Sequence, residues 1–362
     1  MRQLLCPECH QDIFFEQDHC AHCNASLLFD SSTLQMRSGH EANACVNRPL
    51  IGCNWGTTNQ GGYCPSCALT RTVPPLQTTR NVVLWRRVEE AKRRLLYDLA
   101  RLGLPLIGNV GHRHIVFDIL SDDVGQPIMT GHFNGLITLS LSEADDAMRE
   151  TRRVQFREPY RTLLGHFRHE VGHFYWDLLI DGTRLHQAFR LIFGDETIDY
   201  QASIEDYHRR AQRDYDRFGF ISEYATSHPW EDWAETFAHF LHITSTLDSA
   251  SLLPLSLSKR SYETLRDPYM ESDFEALLAS WTPVAYTMNE LNRSMGLGDA
   301  YPFDLSPAVN GKLHFVHMAI QTFRRENPEA APVRQKSVCN NQSHHTRENQ
   351  HCRERFLDHW HC

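Results

Sequence analysis

The sequence predicts an α+β protein in which a small module built on cysteines precedes a mostly helical domain with a small β-sheet. Three observations carry this. Eight of the eleven cysteines lie between Cys6 and Cys67, with the close pairs Cys6/Cys9, Cys20/Cys23 and Cys64/Cys67. Apolar residues then recur at helical spacing through most of the remaining chain, as in LLGHFRHEVGHFYWDLLI. Two stretches rich in β-favouring residues, 113–120 and 131–142, interrupt that pattern.

The first module covers residues 1–71. Cys6-x2-Cys9 and Cys20-x2-Cys23 have the spacing of two zinc knuckles facing each other across a short hairpin, which suits one structural zinc. Cys45, Cys53, Cys64 and Cys67 form a second set, in which only the last two keep the close spacing. Redox or disulfide chemistry is also open to such pairs, but two CxxC units separated by only ten residues favour metal. The module holds few large apolar groups, so bound zinc would supply folding energy that core burial cannot.

Thr72-Val-Pro-Pro-Leu76 marks a linker over 72–81, and the helical domain runs over 82–326. Its first helix, about 82–102, interleaves Glu with Arg between Arg80 and Arg101 and reads as a solvated face. Leu136, Ile137, Leu139 and Leu141 favour a strand whose start Asn134-Gly135 punctuates; the 113–120 strand pairs beside it, and Glu143 to Asp146 is a helix opening or an acidic rim. Further helices are predicted through the motif described next and over 195–215, 229–246, 271–295 and 306–325. From about 327 to 362 the chain becomes a polar tract containing Cys339, Cys352 and Cys362, expected to be a disordered tail.

His169-Glu170-Val171-Gly172-His173 is an HExxH motif inside an amphipathic run. Pro159 suits the first turn of that run, and Asp181-Gly182 ends it. On a helix, His169 and His173 stand one turn apart on one face and can grip a single zinc ion. Two imidazoles leave room for a third protein ligand and a water, and Glu170 beside them is placed to act as base in metal-assisted hydrolysis, most often of a peptide bond. Gly172 weakens the helix by about 1 kcal/mol relative to Ala, which makes sense where another backbone passes close to the metal face.

The third ligand is less local. Trp176 and Leu179 stand where a metzincin would need glycine and histidine, which excludes that class. Residues 223–242 offer other donors. A helix beginning near Pro229 puts Glu231 and Glu235 one turn apart among Trp230, Trp233, Phe237 and Leu241. One carboxylate could bind zinc and the other accept a hydrogen bond from the far nitrogen of a liganding histidine. His228, His239 and His242 are alternative third ligands.

The segments GHFRHEVGHFYWDLL and YATSHPWEDWAETFAHFLHI resemble a family of bacterial zinc-binding metallopeptidases with an N-terminal zinc ribbon, over most of the chain to about residue 325. The resemblance implies a zincin-like domain of gluzincin type, in which Glu231 binds zinc and Glu235 supports a ligand histidine. The spacing Tyr224, Glu231, Glu235 is also similar to the gluzincin of anthrax lethal factor, which implies that Tyr224 steadies the tetrahedral intermediate. The family's ribbon likewise implies that the eight N-terminal cysteines hold structural zinc, one or two ions beside one catalytic ion.

A net charge of −9, a pI near 6.2 and a module with few basic residues disfavour nucleic acid. No run of about 18 apolar residues suggests a membrane span, and thiolate ligands suit a reducing compartment, so a soluble cytoplasmic protein is expected. The zincin strand at 131–142 would let a peptide or protein substrate add beside it. The competing expectation is a catalytically inactive, protease-like adaptor that recognises a protein partner through its ribbon.

Overall fold

The computed structural model describes residues 4–105, 114–122, 128, 130–155, 158, 160–210, 215–251, 265 and 267–328. An N-terminal cysteine-rich region is followed by a mostly helical domain with a small sheet. Arg113, Pro159 and the whole 329–362 tract, with its three cysteines, lie outside the described residues.

Two antiparallel hairpins build the start. Strands β1 (Leu4–Leu5) and β2 (Asp12–Ile13) flank Cys6 and Cys9, and β3 (Leu27–Asp30) pairs with β4 (Gln35–Ser38) just after Cys23. His10 and Asn24 each follow the second cysteine of a pair and take positive φ, 58° and 60°. Their N–H groups return to the carbonyls of Cys6 and Cys20 at 3.0 and 2.9 Å, which folds each pair into a knuckle. A single helical turn, α1 (Arg48–Ile51), leads to Cys53.

The sheet is larger than expected because the cysteine module contributes to it. Its strand order is β5-β6-β8-β7, from β5 (Thr70–Thr72), β6 (Val116–Leu120), β7 (Gly131–Phe133) and β8 (Leu136–Ser140). β5, β6 and β8 run parallel, and β7 is an antiparallel edge. The single strand expected over 131–142 is therefore a hairpin. Asn134 and Gly135 have φ of 49° and 86°, the two positive values a tight hairpin loop demands, so they join two strands instead of starting one. A Cβ on Gly135 would come within 2.3 Å of the His114 carbonyl oxygen, so only glycine fits there. The stretch read as a linker contains the end of β5 and the start of the next helix.

That helix, α2 (Thr79–Arg101), corrects the reading of a solvated charged face. Glu89, Lys92, Arg93, Asp98 and Arg101 are buried. Lys92 donates to Glu89 at 2.8 Å, and Arg101 pairs with Asp267 at 2.5 Å and Asp248 at 3.5 Å. Interleaved charges look the same in sequence whether water or an opposite charge satisfies them. Glu143 likewise belongs to no acidic rim: it is 2% exposed, in a 3-10 turn, with Arg152, Arg161 and His166 around it.

The remaining helices are α3 (Asp146–Gln155), α4 (Leu163–Leu179), α5 (His186–Phe193), α6 (Tyr200–Arg209), α7 (Pro229–Ala250), α8 (Phe274–Ser294) and α9 (Pro307–Glu326). Thr162 caps α4, its hydroxyl accepting the Gly165 N–H at 2.9 Å, so the helix starts at Leu163. Pro229 opens α7, where His228 Nδ1 accepts the Trp230 N–H at 3.0 Å. α4 and α7 pack against each other at the centre, with α9 and α5 also against α7. One contiguous apolar core runs from Leu4 to Phe323. No described helix is long and apolar enough to cross a membrane.

Candidate metal centre

The centre forms where α4 and α7 come closest. A Cβ on Gly172 would lie 3.0 Å from the Ala234 Cα and 3.2 Å from its carbonyl oxygen, while the Trp233 indole N–H donates to the Gly172 carbonyl at 2.9 Å. The glycine thus gives up helix propensity for the approach that carries the α4 histidines up to the first turn of α7. Gly172→Ala should cost about 1–3 kcal/mol, because the atoms it meets are backbone and cannot rotate away. Denaturant unfolding checks this; an unchanged midpoint would contradict the close approach.

At that crossing His169 Nε2 lies 3.0 Å and His173 Nε2 3.5 Å from the same atom, Glu231 Oε2. A metal with ligand distances of about 2.0–2.1 Å in tetrahedral geometry has ligand–ligand edges of about 3.3–3.4 Å, between those two values. Glu231 is fully buried, and its Oε2 has no hydrogen-bond partner. The other oxygen, Oε1, accepts from Tyr200 Oη at 2.7 Å.

The outer contacts set the histidine tautomer. His169 Nδ1 donates to Glu235 Oε1 at 2.7 Å, and Glu235 Oε2 accepts from Ser222 Oγ at 2.6 Å. Burial would raise the Glu235 pKa, but the hydrogen bonds and the charge of His169 outweigh it and hold the carboxyl at about 2, ionised and accepting. Burial alone would lower the His169 pKa, but Glu231 and Glu235 on its two ring nitrogens raise it well above the usual imidazole range. A metal cation would take the place of the Nε2 proton, since with the remaining proton on Nδ1 the Nε2 lone pair and Glu231 Oε2 are two acceptors facing one point. Glu235→Ala should weaken metal binding at this centre about 10–100-fold. A competition titration against a chromophoric chelator measures it, and unaltered affinity would remove Glu235 from the centre.

Glu170 is 8% exposed and lines a cavity of about 280 Å³ together with His169 and Tyr224. Burial raises its carboxyl pKa, against the nearby histidines, which lower it. Tyr224 sits in a 3-10 turn before α7, its ring centroid 5.8 Å from that of His169. Burial pushes the Tyr224 and Tyr200 phenols up, so both remain protonated donors. His228 caps α7, His239 Nδ1 meets Tyr301 Oη at 2.8 Å, and His242 Nδ1 faces Arg168, so none of these alternative third ligands joins the His169, His173 and Glu231 group. Tyr200 and Ser222 had no signal in the sequence, since neither lies at a helical spacing from the residues it touches.

Both cysteine sets gather as well. The Sγ atoms of Cys6, Cys9, Cys20 and Cys23, and those of Cys45, Cys53, Cys64 and Cys67, form two groups whose members lie within 4.8 Å of one another. Neighbouring sulfurs are 3.6–3.8 Å apart and unbonded. Four thiolates at about 2.3 Å around zinc have edges of about 3.8 Å, so the donor sets fit that ion. The second group is wholly buried, whereas Cys23 of the first is exposed.

Residues 81–319 match the model of a family described as "Putative zinc-binding metallo-peptidase", which is more than half of the chain. The chain belongs to that family. Residues 3–78 match a zinc-ribbon domain, so zinc is the metal that both matches and the cysteine geometry support. Relatives of the chain include an uncharacterized protein of Mycobacterium bovis and uncharacterized proteins of two Mycobacterium tuberculosis strains. Each is 39% identical over 328 residues, covering 88% of this chain and 95% of the relative. No solved structure matches the chain.

Proposed function

We propose that this protein is a zinc-dependent peptidase of gluzincin type, with His169, His173 and Glu231 as the ligands of one catalytic zinc and each cysteine set holding one structural zinc. The observation that carries the reading is the convergence of both Nε2 atoms on a buried Glu231 oxygen with no hydrogen-bond partner. A zinc ion held by these residues supplies Lewis-acid polarisation of the peptide carbonyl and lowers the pKa of a water toward neutrality.

The chain's own groups do the rest. Glu170 takes the proton of the attacking water and hands it to the leaving amine; its raised pKa brings it closer to the value at which it can do both. Tyr224 donates to the oxygen on which negative charge develops. Glu235 and Ser222 hold the His169 ring, and Tyr200 leaves Glu231 only one oxygen free to serve as ligand. β7, the edge strand, offers the substrate backbone a partner, and its His132 ring stacks 6.3 Å from that of His173.

The test is digestion of a peptide library by zinc-loaded protein. New termini are expected, lost on treatment with a zinc chelator and regained on adding zinc. No cleavage by the zinc-loaded chain would overturn the peptidase reading.

A further inference from the structure

The cavity beside Glu170 extends past the catalytic group to a wall that the reaction does not use, formed by Tyr160, Gly165, His239, His242 and Phe303. His242 is the polar group there whose hydrogen-bonding state the structure fixes. Its Nδ1 meets Arg168 Nη1, and a guanidinium only donates, so Nδ1 must accept and the ring proton sits on Nε2. Nε2 lies against Gly165, 3.6 Å from where a Cβ would stand, on the cavity side.

A buried chain of charges keeps it so. Arg168 Nη2 donates to Asp98 Oδ2 at 2.7 Å, and Tyr269 Oη donates to Asp98 Oδ1 at 2.6 Å. Asp98 is 0%, Tyr269 1% and Arg168 3% exposed. Burying such a pair is expensive, and none of these three groups touches the candidate metal ligands through a hydrogen bond, so the chain's visible product is an oriented imidazole. Burial, with Arg168 close by, keeps that imidazole neutral.

We propose that His242 Nε2–H receives the side-chain carbonyl of a glutamine or asparagine in the substrate, so that this wall selects one position of the cleaved peptide. The proposal rests on the peptidase reading. An amide is flat enough to lie among the rings of Tyr160 and Phe303, which stand 6.0 Å apart at 76°. An aliphatic side chain would leave the Nε2–H buried without an acceptor. A carboxylate would join Glu158, Glu170, Glu223 and Glu235 in one cavity, where Arg161 is already taken by Glu158 and Glu143. A lysine or arginine would set donor against donor at the His242 Nε2–H.

The experiment compares zinc-loaded wild type, His242→Phe and His242→Gln on one peptide library, reading cleavage sites by mass spectrometry, with zinc content and circular dichroism as checks of folding. Wild type should cut peptides carrying Gln or Asn at one fixed position at least about 10-fold faster than their Met or Leu counterparts. His242→Phe keeps a ring but no donor; it should still cut the Met and Leu peptides and lose the preference. His242→Gln, whose amide can accept from Arg168 or present an N–H to the cavity, should retain part of it. Cleavage by wild type without that preference, or a preference that survives in His242→Phe, would overturn the assignment and leave the peptidase reading standing. If His242→Phe does not fold, folded His242→Ala takes its place: loss of the preference there supports the assignment, and its persistence refutes it. Absence of all cleavage by wild type would remove the peptidase reading and this proposal together.

Discussion

Glu170→Gln should lower peptide cleavage by at least about 100-fold while the zinc content stays unchanged. The amide keeps the shape of the carboxylate but cannot take a proton from water. Glu170 is buried, makes no hydrogen bond to the metal-competent group of His169, His173 and Glu231, and lines the same cavity. Its replacement should therefore leave the three ligands where they are. The comparison is between steady-state cleavage rates and elemental zinc in the same preparations. Cleavage near wild-type rate would rule out Glu170 as the base; loss of zinc together with activity would make it part of the metal site instead.

Cys64→Ser should abolish the folded state, and Cys23→Ser should not. Cys64 is 0% exposed and belongs to a group whose four members are all buried. The surrounding core is shared with the helical domain: Phe29 packs on Trp55 at 5.2 Å, and Tyr97 of α2 meets both Phe29 at 6.2 Å and Phe15 at 5.6 Å. Structural zinc contributes about 10–16 kcal/mol in small zinc peptides, against a net stability of about 5–15 kcal/mol for a typical domain. Damage to this group should thus spread through the joint core. Thermal unfolding followed by circular dichroism separates the cases: no cooperative transition for Cys64→Ser, and a lowered but cooperative one for Cys23→Ser. A native-like transition in Cys64→Ser would show that the second cysteine group does not hold the core together.

What could be read from the sequence was local. HExxH and the Glu231/Glu235 pair became faces because helix geometry converts a spacing of four into adjacency, and Pro229 marked where the second helix starts. Gly172 was legible as a close approach, though not its partner, Ala234. Contacts decided by tertiary packing were not legible. Tyr200 reaches Glu231 across 31 residues, and Arg168 reaches Asp98 across 70. The parallel pairing of β5 with β6 joins the cysteine module to the helical domain across a long crossover, which no periodicity reveals. The charged α2 run misled for a different reason. Sequence shows that charges alternate but not which of them meet an opposite charge inside, as Lys92 meets Glu89.

The central claim is that His169, His173 and Glu231 make a third metal site beside the two cysteine groups. Elemental analysis of purified full-length protein and of its His173→Ala/Glu231→Ala double variant tests it most directly. Three zinc ions per chain falling to two is the predicted result. Two in both proteins would contradict the claim, leaving only the cysteine groups metallated and a protease-like adaptor as the better description.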